Sequence, residues 1–174
     1  MIALLGSSDL GKLCVHLDRN GAESNRDGDV LFRPRNAVEK FDVKAAKERL
    51  LGGWGRRVGD SQWIRTWGLT LSGQIRGHVD LHGGMLPTEQ HRAMLGIGIE
   101  RSARGRGYGR QLLDTVIAWA REHQLAWIDL GVFSANAPAR WLYAKAGFVE
   151  IGITRDRFRV DGISVDDVAM TLAL

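Results

Sequence analysis

The stretch that decides the fold is Gly96–Ala120, GIGIERSARGRGYGRQLLDTVIAWA. It begins as an alternating apolar run and passes through Arg101–Arg110, which holds four arginines and three glycines. It then continues with apolar residues at helical spacing, so the order predicts a strand, a turn and an amphipathic helix. The first N–H groups of a helix are unpaired and lie at the positive end of its dipole. A glycine-rich turn ahead of such a helix is suited to bind an anion.

The predicted anion is a phosphate or pyrophosphate. Glycine leaves no side chain between the main-chain N–H groups and a bulky ligand, and arginine adds charge-assisted hydrogen bonds at the rim. The candidate residues are Arg104, Gly105, Arg106, Gly107, Gly109 and Arg110. The alternative is a basic loop capped by glycines that binds no ligand.

Two nucleotide-binding motifs fit this turn poorly. A nucleotide P-loop needs Lys-Ser or Lys-Thr after its last glycine, whereas Arg110-Gln111 stands there. The dinucleotide fingerprint needs a third glycine where Arg110 stands. Asp129 lies about 20 residues further on, as a ribose-binding acid would, but it stands in the middle of a predicted strand.

Composition predicts one soluble domain over residues 1–174. The chain is 44% hydrophobic and 25% charged, which is ordinary for a globular protein, and it has no apolar run long enough to cross a membrane. The net charge of +4 is partly concentrated in the arginine turn, which favours a local site over a nucleic-acid footprint. Cys14 is the only cysteine, which indicates a reducing cytoplasm, and its apolar neighbours favour a packing role over a catalytic thiol.

The pattern along the chain predicts the element order β-α-α-β-β-β-α-β-α-β-β. The first helix is expected to be capped by Ser7 or Ser8 and to stop at Gly21, and the second to run from Asn36 to Gly52. Turn signals at 72–73 and 161–162 predict two hairpins. A meander followed by alternating strands and helices predicts an α/β (or α+β) fold with a mixed, mostly antiparallel sheet of about seven strands and about four helices.

Two motifs resemble those of the GNAT acetyltransferase superfamily. Arg104–Gly109 fits the pattern R/Q-x-x-G-x-G/A. Downstream, VFSANAPARWLYAKAGF resembles the pattern N-x-x-A-x-x-L-Y-x-x-x-G-F, with Asn136, Ala139, Leu142, Tyr143, Gly147 and Phe148 in place. The resemblance covers the chain from about residue 74 to its end, and residues 18–60 carry no recognisable motif.

The resemblance implies that acetyl-CoA is a co-substrate and lies between the fourth and fifth strands. Ile97 and Ile99 would then offer main-chain contacts to the pantetheine arm, and an N–H group near Ile99 would stabilise an oxyanion. Tyr143 would protonate the departing thiolate. Asn136 is expected to cap a helix or bind the cofactor, and Lys145 to meet a phosphate or face water.

The general base is not identified from the sequence. The positions where the family often carries a glutamate align with Ala93 and Gly131. The remaining candidates are His78, Asp80, His82 and Glu100, or a chain of water molecules. The three β-strand candidates share one face of GHVDLH, which is expected to be solvated. Their i, i+2 spacing does not indicate a metal site, and no metal is expected.

The acceptor implied by the resemblance is a small primary amine such as an amino acid. The tail RVDGISVDDVAM, with Asp166, Asp167 and Met170, resembles a bacterial subgroup that acts on such compounds, and Trp54 is expected to be exposed enough to touch the acceptor. A homodimer is usual in this family, and no nucleic-acid or membrane partner is expected. The alternatives are a non-catalytic CoA-binding module, an enzyme acting on a protein N-terminus or lysine, and an arginine-dependent nucleic-acid binder.

Overall fold

One seven-stranded sheet organises the computed structural model, which describes all 174 residues. The strands are β1 (Ile2–Leu4), β2 (Ile64–Leu71), β3 (Gln74–Gly83), β4 (Arg92–Ile99), β5 (Trp127–Phe133), β6 (Val149–Val160) and β7 (Ile163–Ala173). The helices are α1 (Leu10–Ala22), α2 (Val43–Trp54), α3 (Tyr108–Glu122) and α4 (Ala137–Lys145). The predicted element order and the mixed, mostly antiparallel sheet are confirmed.

The strand order in the sheet is β1-β2-β3-β4-β5-β7-β6. Every neighbouring pair is antiparallel except β4 and β5, which are parallel. A parallel pair needs a crossover connection, and here α3 makes it. The predicted tight turns at 72–73 and 161–162 join β2 to β3 and β6 to β7.

Helices cover both faces of the sheet. The α3 and α4 face carries the larger core, which includes the predicted apolar stripe of Leu112, Leu113, Val116, Ile117 and Ala120. The opposite face packs α1 and α2 against β2 and β3, and Cys14 is buried there as an apolar side chain, as predicted. Burial of a single leucine of the α3 stripe, such as Leu112, stabilises the fold by about 1.5–3 kcal/mol.

The predicted helix boundaries in the first third of the chain are wrong. Ser7 and Ser8 lie in a single 3-10 turn before α1, and α1 continues to Ala22. The second helix begins at Val43, where the Asp42 carboxylate accepts from the Ala45 N–H group at 2.9 Å. Asn36 is not its cap, because the Asn36 side chain accepts from the main-chain N–H group of Asp161 at 2.8 Å instead.

The bond between Asn36 and Asp161 shows the path of the segment between α1 and α2. It runs from α1 across the sheet to the β6–β7 turn, and Leu31 packs against a small cluster formed by Phe133, Val160 and Val165. The segment therefore lies over the α1 and α2 face of the sheet. None of the four helices is long and apolar enough to cross a bilayer.

Two adjacent glycines near the end of α2 give a test of this packing. A Cβ on Gly53 would stand 2.4 Å from Cγ1 of Ile64, whereas a Cβ on Gly52 would meet nothing within 4 Å. We expect Gly53→Ala to lower the free energy of unfolding by about 1–3 kcal/mol, because it overpacks the helix–sheet contact. Gly52→Ala, the matched control, should raise it by about 0.5–1 kcal/mol, because alanine is the better helix former. Urea denaturation of both variants measures the difference, and an equal gain in both would contradict the packing described.

Candidate active site

A cleft opens in the middle of the sheet where β4 and β5 separate. The two strands pair only through Arg92, Ala93 and Met94 on β4, opposite residues 127–129 on β5. Beyond this point β4 pairs only with β3, and β5 pairs only with β7. The gap belongs to a cavity of about 1650 Å³. Buried main-chain groups need hydrogen-bond partners, so the two separated edges can bind an extended ligand.

The main chain of β4 presents hydrogen-bonding groups to this cleft. The N–H group of Glu100 donates to the carbonyl oxygen of Arg76 at 2.9 Å, on the β3 side. The main-chain groups of successive strand residues point to opposite sides, so those of Ile97 and Ile99 point away from β3 and into the cleft. The Ile99 carbonyl already accepts from Arg104 Nε at 2.8 Å and from Asn20 Nδ2 at 3.1 Å. The N–H group of Ile99 and both groups of Ile97 are left for a ligand.

The glycine turn lies at the mouth of the cavity and leads into α3. Gly105 and Gly107 have φ values of 72° and 78°, and a Cβ on either would meet nothing within 4 Å. The turn therefore needs glycine for its left-handed backbone and leaves open space in front of the N-terminus of α3. Gly109 serves another purpose, since a Cβ there would stand 2.9 Å from Cδ2 of Leu142 on α4.

The arginines of the turn differ in their surroundings. Arg104 pairs with Glu23 at 2.7 Å and with Asp29 at 2.8 Å, so its guanidinium braces the turn. Arg110 lines the cavity but donates to Asp114 at 2.8 Å and to the carbonyl oxygen of Lys145 at 2.9 Å. Arg106 is exposed and forms no ion pair.

Arg106 and Lys145 do not line the cavity, whereas the other predicted cofactor-binding residues do. Those residues are Ile97, Ile99, Arg104, Gly105, Gly107, Gly109, Arg110 and Asn136. Lys145 lies 5.7 Å from the centre of the Trp141 ring, on the exposed side of α4.

Tyr143 and Asn136 bring α4 to the cleft, and both side chains line the cavity. The Tyr143 ring is buried and contacts Phe148 edge to face, at 5.9 Å between centres. Burial raises the pKa of the phenol, so the hydroxyl keeps its proton. The Asn136 side chain accepts from the Ala139 N–H group at 3.3 Å, which makes it the cap of α4 at the cavity wall.

Two of the three polar candidates on β3 are buried, contrary to the sequence prediction, whereas the His82 side chain is 33% exposed. His78 and Asp80 are 5% and 6% exposed, and both line the cavity. Asp80 Oδ1 lies 2.9 Å from His82 Nε2. Burial alone would raise the pKa of Asp80, but His82, His78 and Arg49 together hold it below its ordinary value. The face is covered because α1, α2 and the segment between them pack over it.

Glu100 is also buried, but it lies outside the cavity wall. Its carboxylate accepts from Arg76 Nη1 at 2.7 Å and from Arg19 Nη2 at 2.8 Å. His16 Nδ1 lies 2.8 Å from the same carboxylate, and His16 Nε2 lies 2.8 Å from His78 Nδ1. Burial opposes ionisation of Glu100, yet its donors hold the pKa of Glu100 below its ordinary value. Glu100 therefore contacts the cavity only through the two histidines.

Two arginines face the same side of the cavity. Arg33 and Arg49 line it, and neither forms an ion pair with a carboxylate. Burial, together with the positive charges of Arg35 and Arg49, lowers the pKa of Arg33. Arg33 is partly buried and Arg49 is exposed. A guanidinium without a carboxylate partner can bind an anionic group of a ligand, because it has donors to satisfy.

Ala93 and Gly131, the positions where the family often carries a glutamate, have different surroundings. Ala93 is buried against the α3 face, so it does not face the cavity; its neighbour Met94 does. Gly131 lines the cavity, and a Cβ there would stand 2.8 Å from Asp167 Oδ2. Asp167 therefore fills the space beside Gly131, and burial raises the pKa of its carboxyl group.

Trp54 does not reach the cavity. Its indole nitrogen donates to Thr66 Oγ1 at 3.1 Å, and the ring packs with the core between α2 and the sheet. The expected contact between Trp54 and the acceptor is therefore wrong. The Gly52-Gly53 pair before it does not expose the ring, because Gly53 brings α2 close to β2.

Sequence reasoning missed His16, Arg33 and Arg49. His16 stands in an apolar helical stripe with Leu13 and Leu17, and it is fully buried. A histidine in such a stripe was the available signal, since a buried imidazole needs polar partners. Arg33 and Arg49 come from a segment without a motif, so their position depends on how that segment crosses the sheet.

Comparisons with known proteins agree with this architecture. Residues 35–148 match the model of the family described as Acetyltransferase (GNAT) family. The L-amino acid N-acetyltransferase AaaT of Escherichia coli (strain K12) is 29% identical over 99 residues, which is 55% of this chain and 59% of that protein. An uncharacterised N-acetyltransferase of Bacillus subtilis (strain 168), YycN, is 29% identical over 92 residues, 52% of this chain and 59% of that protein. The chain thus spans less than two thirds of the length of these relatives.

Solved structures share the fold across the whole chain. The ribosomal-protein-alanine N-acetyltransferase of Brucella melitensis has a TM-score of 0.81 at 20% identity, covering 100% of this chain and 99% of that one. An acetyltransferase of Salmonella typhimurium, yncA, solved with its cofactor acetyl-CoA, has a TM-score of 0.79 at 17% identity, covering 100% and 93%.

The buried histidines give the stability of the protein a defined pH dependence. Burial lowers the pKa of His16, and it lowers the pKa of His78 to about 3. The unfolded chain takes up a proton on each below its ordinary pKa near 6.5, so stability is full above that pH and falls as the pH is lowered. Between pH 7 and pH 5 we expect a loss of about 2 kcal/mol from His78, at about 1.36 kcal/mol per pH unit below 6.5, and His16 acts in the same direction.

Urea denaturation at the two pH values measures this loss. The control is His123→Gln, because His123 is exposed at the end of α3 and should not change the slope. The lowered pKa values of Glu100 and Asp80 act in a separate window, below the ordinary carboxyl pKa near 4. A stability that stays constant from pH 7 to pH 5 would contradict the neutral, buried histidines.

Proposed function

Because this chain belongs to the GNAT acetyltransferase family, we propose that it moves the acetyl group of acetyl-CoA to the amino group of a free amino acid. The observation that carries the proposal is the cleft between β4 and β5, with a glycine turn at one end and charged side chains on one wall. The family match supports acetyl transfer. The choice of acceptor rests on the side chains of the cavity and on the likeness to an L-amino acid N-acetyltransferase.

The cleft fits both the diphosphate and the pantetheine arm of the coenzyme. The open space in front of Gly105 and Gly107 lies at the N-terminus of α3, where main-chain N–H groups bind a diphosphate. The free main-chain groups of Ile97 and the N–H group of Ile99 match the amides of a pantetheine arm laid along β4 as an extra strand. Bound there, the thioester supplies an activated acyl carbon for attack by an amine.

Tyr143 is the proposed general acid. Breaking the C–S bond leaves a thiolate, and a nearby phenol can give it a proton. The place of Tyr143 on the cavity wall supports this role. Burial raises the pKa of Tyr143, so the hydroxyl is protonated at neutral pH but is a weaker acid than an exposed phenol. Asn136 holds the start of α4 at the cavity wall and so helps to position the helix that carries Tyr143.

The acceptor side of the cavity favours a compound with both an amino and a carboxylate group. Arg33 and Arg49 lack carboxylate partners and can hold an α-carboxylate, which Arg binds through paired hydrogen bonds. The acceptor's amino group would lie toward the polar residues His78 and Asp80 on β3. This arrangement of opposite charges matches a zwitterion better than it matches a simple alkylamine.

The proposal predicts that the purified protein binds acetyl-CoA and releases CoA thiol when given single L-amino acids. Calorimetric titration measures the binding, and a thiol reagent measures the release over the twenty standard amino acids. We expect Tyr143→Phe to lower kcat by about 100-fold or more, with unchanged affinity for acetyl-CoA, because it removes only the proton donor. Binding without turnover for every amine tested would instead favour a non-catalytic CoA-binding module, and no binding at all would overturn the proposal.

A second prediction concerns the carboxylate. We expect Arg33→Gln to raise KM for the best amino acid by about 10- to 100-fold, which corresponds to the loss of one charge-assisted hydrogen bond of about 1.5–3 kcal/mol. The KM for the same compound without its carboxylate should not change. Arg121→Gln, on the exposed end of α3, is the control. An equal rise in KM for both compounds would show that Arg33 does not bind the carboxylate.

A further inference from the structure

A line of hydrogen bonds connects the buried carboxylate of Glu100 to the wall of the cavity. Glu100 Oε1 lies 2.8 Å from His16 Nδ1, and His16 Nε2 lies 2.8 Å from His78 Nδ1. His16 is fully buried and His78 is 5% exposed, and the two rings meet edge to edge at 69°. Both bonds have the length of good hydrogen bonds, and only His78 also lines the cavity.

The position of each proton in this line follows from the carboxylate. Arg19 and Arg76 both donate to Glu100, so it is ionised and can only accept. His16 Nδ1 therefore carries the proton of that bond. A neutral His16 then has no proton on Nε2, so His78 Nδ1 donates to it. A neutral His78 is thereby left with an unprotonated Nε2, which holds a lone pair.

A glycine on β4 makes room for the His78 ring at the wall of the cavity. Cε1 of His78 lies 2.7 Å from the place where a Cβ on Gly98 would stand. Nε2 is bonded to Cε1, so the edge of the ring that carries it faces Gly98, and Asn20 Oδ1 stands nearer still, at 2.4 Å from the same Cβ position. Any larger residue at position 98 would close this approach.

We propose that Nε2 of His78 accepts the N–H group of the attacking amine and takes its proton as the amide forms, with His16 and Glu100 as positioning residues. The assignment rests on the proposed function and identifies its general base. The geometry is that of a carboxylate that orients an imidazole for proton transfer, extended by one further imidazole.

The step balances with Tyr143 as the acid. The acceptor reacts as the free amine, and its nitrogen lone pair forms the C–N bond to the thioester carbon. The nitrogen gives one proton to His78 Nε2. The C–S bond breaks, sulfur keeps its electron pair, and it takes the proton of the Tyr143 hydroxyl. One proton accepted and one donated cancel, so exchange with solvent restores both residues and the products are the amide and the free thiol.

The charges around His78 keep the ring neutral between turnovers. His16 from α1, Arg33 from the crossing segment and Arg49 from α2 oppose a positive charge, and Asp80 on the same strand favours one. Burial is the largest effect and lowers the pKa of His78 to about 3. The ring is therefore neutral at the pH of an ordinary assay. Because a pKa this low also makes it a weak base, the role requires the Glu100 carboxylate behind His16 to stabilise the imidazolium that forms. Asp80, whose Oδ1 lies 2.9 Å from His82 Nε2, is the competing base on this wall, and the Asp80→Asn variant distinguishes the two.

The kinetic test uses His78→Gln with each of the twenty standard L-amino acids. We expect kcat/KM to fall by about 100-fold or more, with an unchanged dissociation constant for acetyl-CoA and an unchanged far-ultraviolet circular dichroism spectrum. His123→Gln, outside the cavity, should behave as the wild type. Turnover by His78→Gln within threefold of the wild type overturns the assignment, as does a loss that occurs in Asp80→Asn alone. Absence of thiol release by the wild type overturns the proposed function and this assignment together.

A second measurement does not depend on activity or on the stability of the His78 variant. Nitrogen-15 NMR of imidazole-labelled wild-type protein should show His78 with Nδ1 protonated and Nε2 unprotonated. Glu100→Gln keeps the size of the side chain but removes the ionised acceptor. It should raise the fraction of His78 that carries its proton on Nε2 and lower kcat/KM by at least about tenfold. A proton on Nε2 of His78 in the wild type overturns the assignment.

Discussion

The separation of β4 from β5 after three residue pairs is the constraint on which the rest of the structure depends. A sheet that continued its pairing would use up the main-chain groups of Ile97 and Ile99 and would leave no cleft. The separation is maintained by packing on both sides: α3 leaves β4 through the glycine turn, and α4 follows β5 at the capped Asn136. The site therefore arises from how the two strands part, and the side chains are placed around that opening.

The glycines of β4 make room for polar side chains that pack against the strand. Gly96 lies against Asp80, and Gly98 lies against His78 and Asn20, in each case where a Cβ would overlap the neighbouring side chain. Except for Met94, the apolar side chains of β4 point to the α3 face, while the glycines let polar groups from β3 and α1 come close to the other face. Glycine in a strand interior usually weakens the strand, but in β4 it allows polar side chains to pack closely against the backbone.

Much of the fold could be predicted from the sequence, because its signals are local. The alternation of β2 and β3, the apolar stripe of α3 and the two turns at 72–73 and 161–162 act over a few residues, and they predicted the right elements. The start of α2 could not be predicted, because Asn36 bonds to Asp161 more than a hundred residues away. The line through Glu100, His16 and His78 joins three separate elements, so only the tertiary structure brings it together, although a histidine within an apolar helical stripe was a visible anomaly. The predicted cofactor-binding and catalytic residues remain predictions; all of them except Arg106 and Lys145 line one cavity, which supports them.

The short contact between β4 and β5 also has a mechanical consequence. The sheet consists of two blocks, β1 to β4 and β5 to β7, and only three parallel residue pairs join them directly. Elsewhere the blocks are joined by α3 and by the segment after α1, which reaches the β6–β7 turn through the bond between Asn36 and Asp161. A molecule laid across the opening would therefore add contacts between the blocks at the place where the sheet itself has fewest.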